Sequence, residues 1–216
     1  MLYFVKQGRL RVIEYLSLGI LLGLYAGLTP GPLLTLVVSE TLQHDFKAGF
    51  KVAIAPVVSD APIILLSLFA IHQLADFQPI LGMISLVGAC YLIWMGVESL
   101  RFQGLKLQLE TPKSHALRKG ILVNVLSPYP YLFWFSVGAP LLVKAMEKHA
   151  LAPALFIMGF YTLLVGLKVL LAYLIGKSKA LLEGRAYILG VRSLGFALLM
   201  LAFSLFMDAK NLLGFL

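Results

Sequence analysis

Charge is what this sequence has least of. Only 13% of its 216 residues are charged, while 60% are hydrophobic. A soluble domain is nearer a quarter charged and half apolar. The few charges also avoid long stretches altogether. The runs they leave are about 20 residues long, enough to cross ~30 Å of hydrocarbon as helix. A soluble globular domain is thereby excluded. A β-barrel is excluded as well, because its strands would alternate apolar and polar residues at period two. Cysteine is nearly absent. The single thiol, Cys90, rules out an intrachain disulfide and any cysteine-rich metal site. The four histidines, His44, His72, His115 and His149, fall in or beside connections and show no metal-ligand spacing. No metal and no cofactor are therefore expected. Acid is scarcer than base, 10 residues against 18, for a net charge of +8. The basic residues lie in the connections, where they set membrane topology, so no nucleic-acid partner is expected.

What remains is six apolar runs, at residues 12–38, 50–71, 80–100, 120–143, 151–176 and 187–207. They describe an all-α membrane protein with six transmembrane helices. The longest and most basic connection, 101–119, divides the chain into a first half, 1–100, and a second half, 120–216, within a single domain of 1–216. Residues 1–13 are basic and mixed, like the start of a signal peptide. The run after them is too long for one and has no small-x-small site, so they read as an N-terminal extension. Trp94, near one end of the third run, reads as an interfacial anchor.

The first run is broken by Thr29, Pro30, Gly31 and Pro32. Each proline lacks an N–H and clashes with the carbonyl four residues earlier, here those of Ala26 and Leu28. Unwound backbone at membrane depth is tolerated only where it is buried in protein or lines a watery cavity. The same grammar recurs in the fourth run as Ser127, Pro128, Tyr129 and Pro130. A shift of 98 residues lays Pro30 on Pro128, Pro32 on Pro130, Thr29 on Ser127 and Ala26 on Asn124. Three spans per half force the halves into opposite orientations, so a 3+3 inverted repeat with broken helices 1 and 4 is expected. Paired broken helices are the best sequence-level pointer to a transporter's binding site. Before the first break, Gly19, Gly23 and Gly27 form a stripe that lets another helix backbone approach. That stripe suits a second copy of the chain as well as an internal contact, which leaves a homodimer open.

Six spans place the first, third and fifth connections on one side. Eleven basic residues lie there: Lys47, Lys51, Arg101, Lys106, Lys113, Arg118, Lys119, Lys177, Lys179, Arg185 and Arg192. The other side holds six: Lys6, Arg9, Arg11, Lys144, Lys148 and Lys210. The balance favours both termini outside the cytoplasmic membrane, although the three basic residues before the first run argue the other way.

Two ionisable residues, Asp60 and Lys168, lie well inside spans, away from their ends. Asp60 sits near the centre of the second run, where a carboxylate costs several kcal/mol unless it is neutralised or paired. A group that binds and releases a proton there is what a proton-coupled carrier needs. Lys168, in the fifth run, lies at a depth that allows a pair with Asp60. Pro56 and Pro62 flank Asp60 and should free the carbonyls of Val52 and Val58, with Ser59 placed to repair them. Asn124, four residues before Pro128, offers an amide to a neighbouring helix or to a ligand. An intramembrane enzyme would need a paired nucleophile and base at one depth. The spans offer no histidine, one cysteine and one central carboxylate, so no enzyme is expected.

These features together resemble the lysine-exporter (LysE) superfamily of small amino-acid and homoserine/threonine exporters. The resemblance covers nearly the whole chain from about Glu14. It rests on the Thr-Pro-Gly-Pro break in the first of six short spans and on Ala48-Gly49 at the start of the second. Asp60 falls eleven residues after Gly49, where the family pattern is acidic. The fourth span begins at Lys119-Gly120 and carries Asn124-x-x-x-Pro128. The chain departs from the family pattern at Asp45, Ala55 and Ser59, where glycines are favoured, and at Ser127-Pro128-Tyr129, where Asn-Pro-Lys is favoured. The resemblance implies export of a small zwitterionic or cationic metabolite, driven by protons. The substrate would sit at Thr29, Pro30, Gly31, Pro32, Asn124, Ser127, Pro128 and Tyr129, with Asp60 and Lys168 coupling protons. Two alternatives stand beside it: an assembly protein that uses the stripe and prolines for packing alone, and an exporter of a cation.

Overall fold

Proline decides where this chain bends, and glycine decides where it packs. The computed structural model describes residues 2–73, 78–101, 115–177 and 185–213. The connections expected at 72–79 and 101–119 therefore lie largely outside the described residues. Every described element is helical. In chain order they are α1 (Leu2–Leu28), α2 (Pro32–Gln43), α3 (Phe46–Ala53), α4 (Ala55–Gln73), α5 (Gln78–Leu100), α6 (Ala116–Leu126), α7 (Pro128–Phe133), a π turn (Trp134–Gly138), α8 (Ala139–Lys148), α9 (Ala152–Lys177) and α10 (Arg185–Leu213).

Among the described residues, three stretches are long and apolar enough to cross a membrane: Phe46–Ile71, Gly82–Leu100 and Ala152–Gly176. Two bent pairs raise the number to five if each pair is one span. Ile13–Leu28 with Pro32–Gln43 bends by 56°, and Ala116–Leu126 with Pro128–Lys148 by 55°. Both bends fall on the two proline motifs. The sixth expected span, 187–207, lies in α10, several of whose side chains are outside the described ones. Large apolar side chains such as Leu65, Phe69, Met158 and Phe203 point outward. A water-soluble surface avoids so many exposed apolar groups, whereas a lipid-facing one requires them.

The glycine stripe faces inward. A Cβ on Gly19 would collide with the carbonyl of Phe156, and one on Gly23 with that of Phe160. α1 therefore lies directly against α9 over much of its length, and Gly159 returns the favour toward Leu16 and Ile20. The stripe no longer argues for a second copy of the chain. A matching approach joins α5 to α10, where Gly96 and Gly195 meet backbone to backbone. Close packing of this kind replaces the hydrophobic drive that lipid does not supply.

Element boundaries differ from the sequence expectation, α1 starting at Leu2 within the expected extension 1–13 and the second run being split at Ile54, and two of the differences have a visible physical cause. Residues 39–49 were expected as a connection, but α2 runs on to Gln43 and α3 starts at Phe46. Charge in Glu40 and Asp45 reads as loop in a sequence. In the fold, Glu40 is buried against Lys119 at 2.6 Å, and Asp45 caps α3 by accepting from the Ala48 N–H at 2.8 Å. The second difference is the π turn. Pro140 has no N–H for the carbonyl of Ser136, and the Ala139 N–H reaches back to Trp134 instead. The freed Ser136 carbonyl points to where a Cβ on Gly88 would sit, so α5 also packs closely on the bulge.

Candidate functional site

The first break is closed on its carbonyl side by the protein itself. Both the N–H and the hydroxyl of Thr29 donate to the carbonyl of Tyr25, at 2.8 and 2.6 Å. The next two carbonyls, of Ala26 and Gly27, accept from Lys168 Nζ at 2.8 and 3.4 Å. Lys168 is 3% exposed. An ammonium at the carbonyl end of a helix is favoured by the helix dipole, and two charge-assisted bonds offset part of its burial. Lys168 thus fills these two carbonyls from within the protein. On the other side of the break, α2 starts at Pro32 with Gly31 before it and no side-chain cap. Leu33 and Leu34, in the first turn where N–H groups have no intrahelical partner, line the same cavity as Lys168.

The second break is built differently. The Ser127 hydroxyl accepts from the Tyr129 N–H at 3.4 Å and so caps α7. The Ser127 N–H donates to the carbonyls of Val123 and Asn124 at 3.1 and 3.2 Å, which repairs the Asn124 carbonyl that Pro128 cannot serve. Tyr91 donates its hydroxyl to the Tyr129 carbonyl at 3.3 Å, and Trp94 stacks on the Tyr129 ring at 5.6 Å. Trp94 therefore packs on the break, a role beyond the interfacial anchor expected of it.

Asp60 joins the two halves. It is 4% exposed. Asn124 Nδ2 donates to Oδ1 at 2.6 Å and to the Ser59 hydroxyl at 2.8 Å. The Tyr161 hydroxyl donates to Oδ2 at 3.0 Å. Each carboxylate oxygen thus holds a neutral donor, one from α6 and one from α9. Among the described residues Lys168 and Asp60 form no ion pair, so the pairing that their depths allow is not made. Ser59 donates to the Ala55 carbonyl at 3.0 Å, not to Val52 or Val58, so the repair expected of it does not occur. Trp134, fully buried, lays its ring over Tyr161 at 6.4 Å and holds that phenol in place.

A cavity of about 130 Å³ lies between the breaks. It gathers Thr29, Pro30, Gly31 and Pro32 from the first break with Asn124, Ser127 and Tyr129 from the second. Asp60 and Lys168 line it too, so nine of the ten residues singled out in the sequence meet there. Pro128 does not line it; its neighbour Pro130 does. The walls are otherwise apolar, including Leu22, Leu92, Phe133 and Leu164. One carboxylate, one ammonium and an uncapped helix start in an apolar chamber can hold a zwitterion by its ends and an alkyl group between them. Sequence reasoning missed Tyr161, although it lies two turns from Lys168 on the same helix face. It also missed Glu40, which charge patterning assigned to a connection. Among the described residues no three His, Cys, Asp or Glu side chains gather as a metal site.

Comparison with known proteins identifies a family. A family model described as LysE type translocator matches residues 24–209. A leucine efflux protein of Klebsiella pneumoniae is 24% identical over 173 residues, which span 77% of this chain and 76% of that protein. A leucine efflux protein of an Enterobacter species is 26% identical over 115 residues, 50% of this chain and 54% of its own length. An uncharacterised membrane protein of Pseudomonas aeruginosa is 29% identical over 121 residues, 50% of this chain and 55% of its own length. The chain thus spans about half the length of these last two relatives. No solved structure matches it.

Proposed function

The chain belongs to the LysE type translocator family, and from that premise we propose that it is a secondary active exporter of amino acids or related small metabolites, exchanging protons for substrate across the cytoplasmic membrane. The observation that carries this reading is Asp60: a buried carboxylate on the cavity wall, held by Asn124 and Tyr161 and, among the described residues, by no cation. A carboxylate so placed binds either a proton or a substrate ammonium, and binding one displaces the other. That exclusion is the requirement for antiport. The substrate carboxylate lies toward the start of α2 and Lys168, which line the same cavity. The alkyl group lies against Leu22, Leu92 and Leu164. Two relatives named leucine efflux protein favour an apolar amino acid as the cargo.

The proposed architecture is a single six-span domain with a 3+3 inverted repeat. The near-equal bends of 56° and 55° support it, as does the contact between Gly96 and Gly195, which the pseudo-two-fold relation places on equivalent helices. The proposed orientation has both termini outside. A cysteine at exposed Lys148 should then react with an impermeant reagent added to intact cells, and a cysteine at exposed Lys51 only after the cells are opened. The reverse pattern would invert the topology.

The test of function is uptake of labelled amino acids, L-leucine among them, into everted membrane vesicles with and without an imposed proton gradient. Gradient-dependent accumulation is the expected result. Asp60→Asn should abolish it while the protein remains inserted at normal levels. Wild-type accumulation by Asp60→Asn would remove the coupling role from Asp60.

A further inference from the structure

Thr29 and Pro30 line a second cavity as well as the inner one. It has about 460 Å³ of room against about 130 Å³ inside, and it opens at the end of the bundle where α5 stops. Its other wall is one face of α5 and the residue that follows: Trp94, Val97, Glu98, Ser99 and Arg101. Glu98 and Arg101 are three residues apart, so they share that face. One anionic and one cationic head therefore line the same space. Among the described residues neither forms an ion pair, with the other or with any third group. The hydroxyls nearby are already committed, that of Ser99 to the Met95 carbonyl and that of Thr29 to the Tyr25 carbonyl. Trp94, 46% exposed, forms an aromatic wall backed by Tyr129 of the second break.

We propose that this vestibule is an outer binding site for the zwitterionic head of an amino acid, in series with the inner cavity and joined to it at Thr29 and Pro30. Arg101 takes the carboxylate through its paired N–H groups, Glu98 takes the ammonium, and the ring of Trp94 carries the alkyl group. A purely anionic or cationic metabolite would be repelled by one of the two heads. A zwitterion satisfies both. The inference rests on the proposal that amino acids are the substrate class, and adds a second place where that class is selected before it reaches Asp60.

The experiment reads occupancy without transport. In the full chain, Cys90→Ala removes the exposed thiol and Val97→Cys places one in the vestibule. Saturating L-leucine should slow modification of that thiol by a small charged thiosulfonate about tenfold. 4-Methylpentanoate, which lacks the ammonium, and L-leucinamide, which lacks the carboxylate, should not. Adding Glu98→Gln or Arg101→Gln should raise the protecting leucine concentration about tenfold or more, as loss of one charge-assisted bond implies. Glu98→Gln should also erase the preference for leucine over 4-methylpentanoate, and Arg101→Gln the preference over leucinamide. Protection that these variants leave unchanged, or no protection by leucine at all, would overturn the vestibule. In the native chain the same two substitutions should raise the half-saturating leucine concentration for accumulation, and unchanged values there would overturn it equally. Failure of the export reading looks different: the thiol is protected by leucine, but no gradient drives accumulation.

Discussion

Asp60 shows how a carboxyl group is held inside an apolar bundle by neutral partners. Its two oxygens are met by an amide and a phenol, both neutral and both able to stay in place when the carboxylate takes a proton. Tyr161→Phe removes one of these bonds, each worth about 1.5–3 kcal/mol to a charged group. Export should fall about tenfold to a hundredfold, less than in Asp60→Asn, and the thermal midpoint should drop only modestly. A Tyr161→Phe protein with full export would show that the phenol does not act through Asp60. Lys168 behaves otherwise, because its partners are backbone. Lys168→Met should lower the thermal midpoint of the detergent-solubilised protein as well as export, since it takes the donor from the part-buried Ala26 carbonyl and the buried Gly27 carbonyl. The rarity of charge in the spans made Asp60 and Lys168 legible in the sequence. Their partners were not, because a tyrosine or an asparagine in a span is unremarkable until its neighbour is known.

At the scale of elements, proline and glycine do separate work. Pro30, Pro32, Pro128 and Pro130 mark two bends, and a missing N–H is a local property that needs no tertiary context to act. Pro140 acts just as locally, but its outcome, a π turn rather than a kink, depends on Trp134 and Gly138 stacking in the bulge: a Cβ on Gly138 would run into the Trp134 ring. The glycine stripe of α1 is legible as a smooth face, and the fold assigns that face to α9. Gly23→Leu should therefore break the α1–α9 contact, with a loss of about 1–3 kcal/mol or more from overpacking against the Phe160 carbonyl. A lower thermal midpoint and poor recovery after solubilisation are the expected readouts. The same substitution at Gly166, where no atom stands near, should change the midpoint little.

At the scale of the whole molecule, two of the several polar links that tie the first half to the second lie at different levels of the bundle. One is Asn124 to Asp60 at the cavity. The other is Lys119 to Glu40, at the end of the bundle where α2 finishes and α6 begins. Glu40 is 3% exposed while the Lys119 side chain is 31% exposed, so the two ends of this pair are unequal. Lys119→Gln takes the lysine from a buried carboxylate, whereas Glu40→Gln leaves a lysine that still reaches water. Stranding the buried member of an ion pair costs more than stranding the member that water can reach. The thermal midpoint should accordingly fall further for Lys119→Gln than for Glu40→Gln, and the double variant should recover part of the loss. Equal single effects with simple additivity would mean that the pair does not hold the halves together.

What the sequence determined by itself is whatever depends on local chemistry. The apolar runs make this a helical membrane protein, the missing proline N–H groups place its two breaks, and the solvation cost of charge marks Asp60 and Lys168. The tertiary structure decided everything that needs two distant residues to meet. Asn124 reaches Asp60 across 64 residues, Tyr161 reaches it across 101, and Lys168 reaches the carbonyl of Ala26 across 142. The burial of Glu40, the turning of the glycine stripe toward α9 and the vestibule at Glu98 and Arg101 are of the same kind. Hydropathy and helix breaking act within a turn or two of the chain. A buried hydrogen bond needs its partner brought to within about 3 Å, and only helix–helix packing does that.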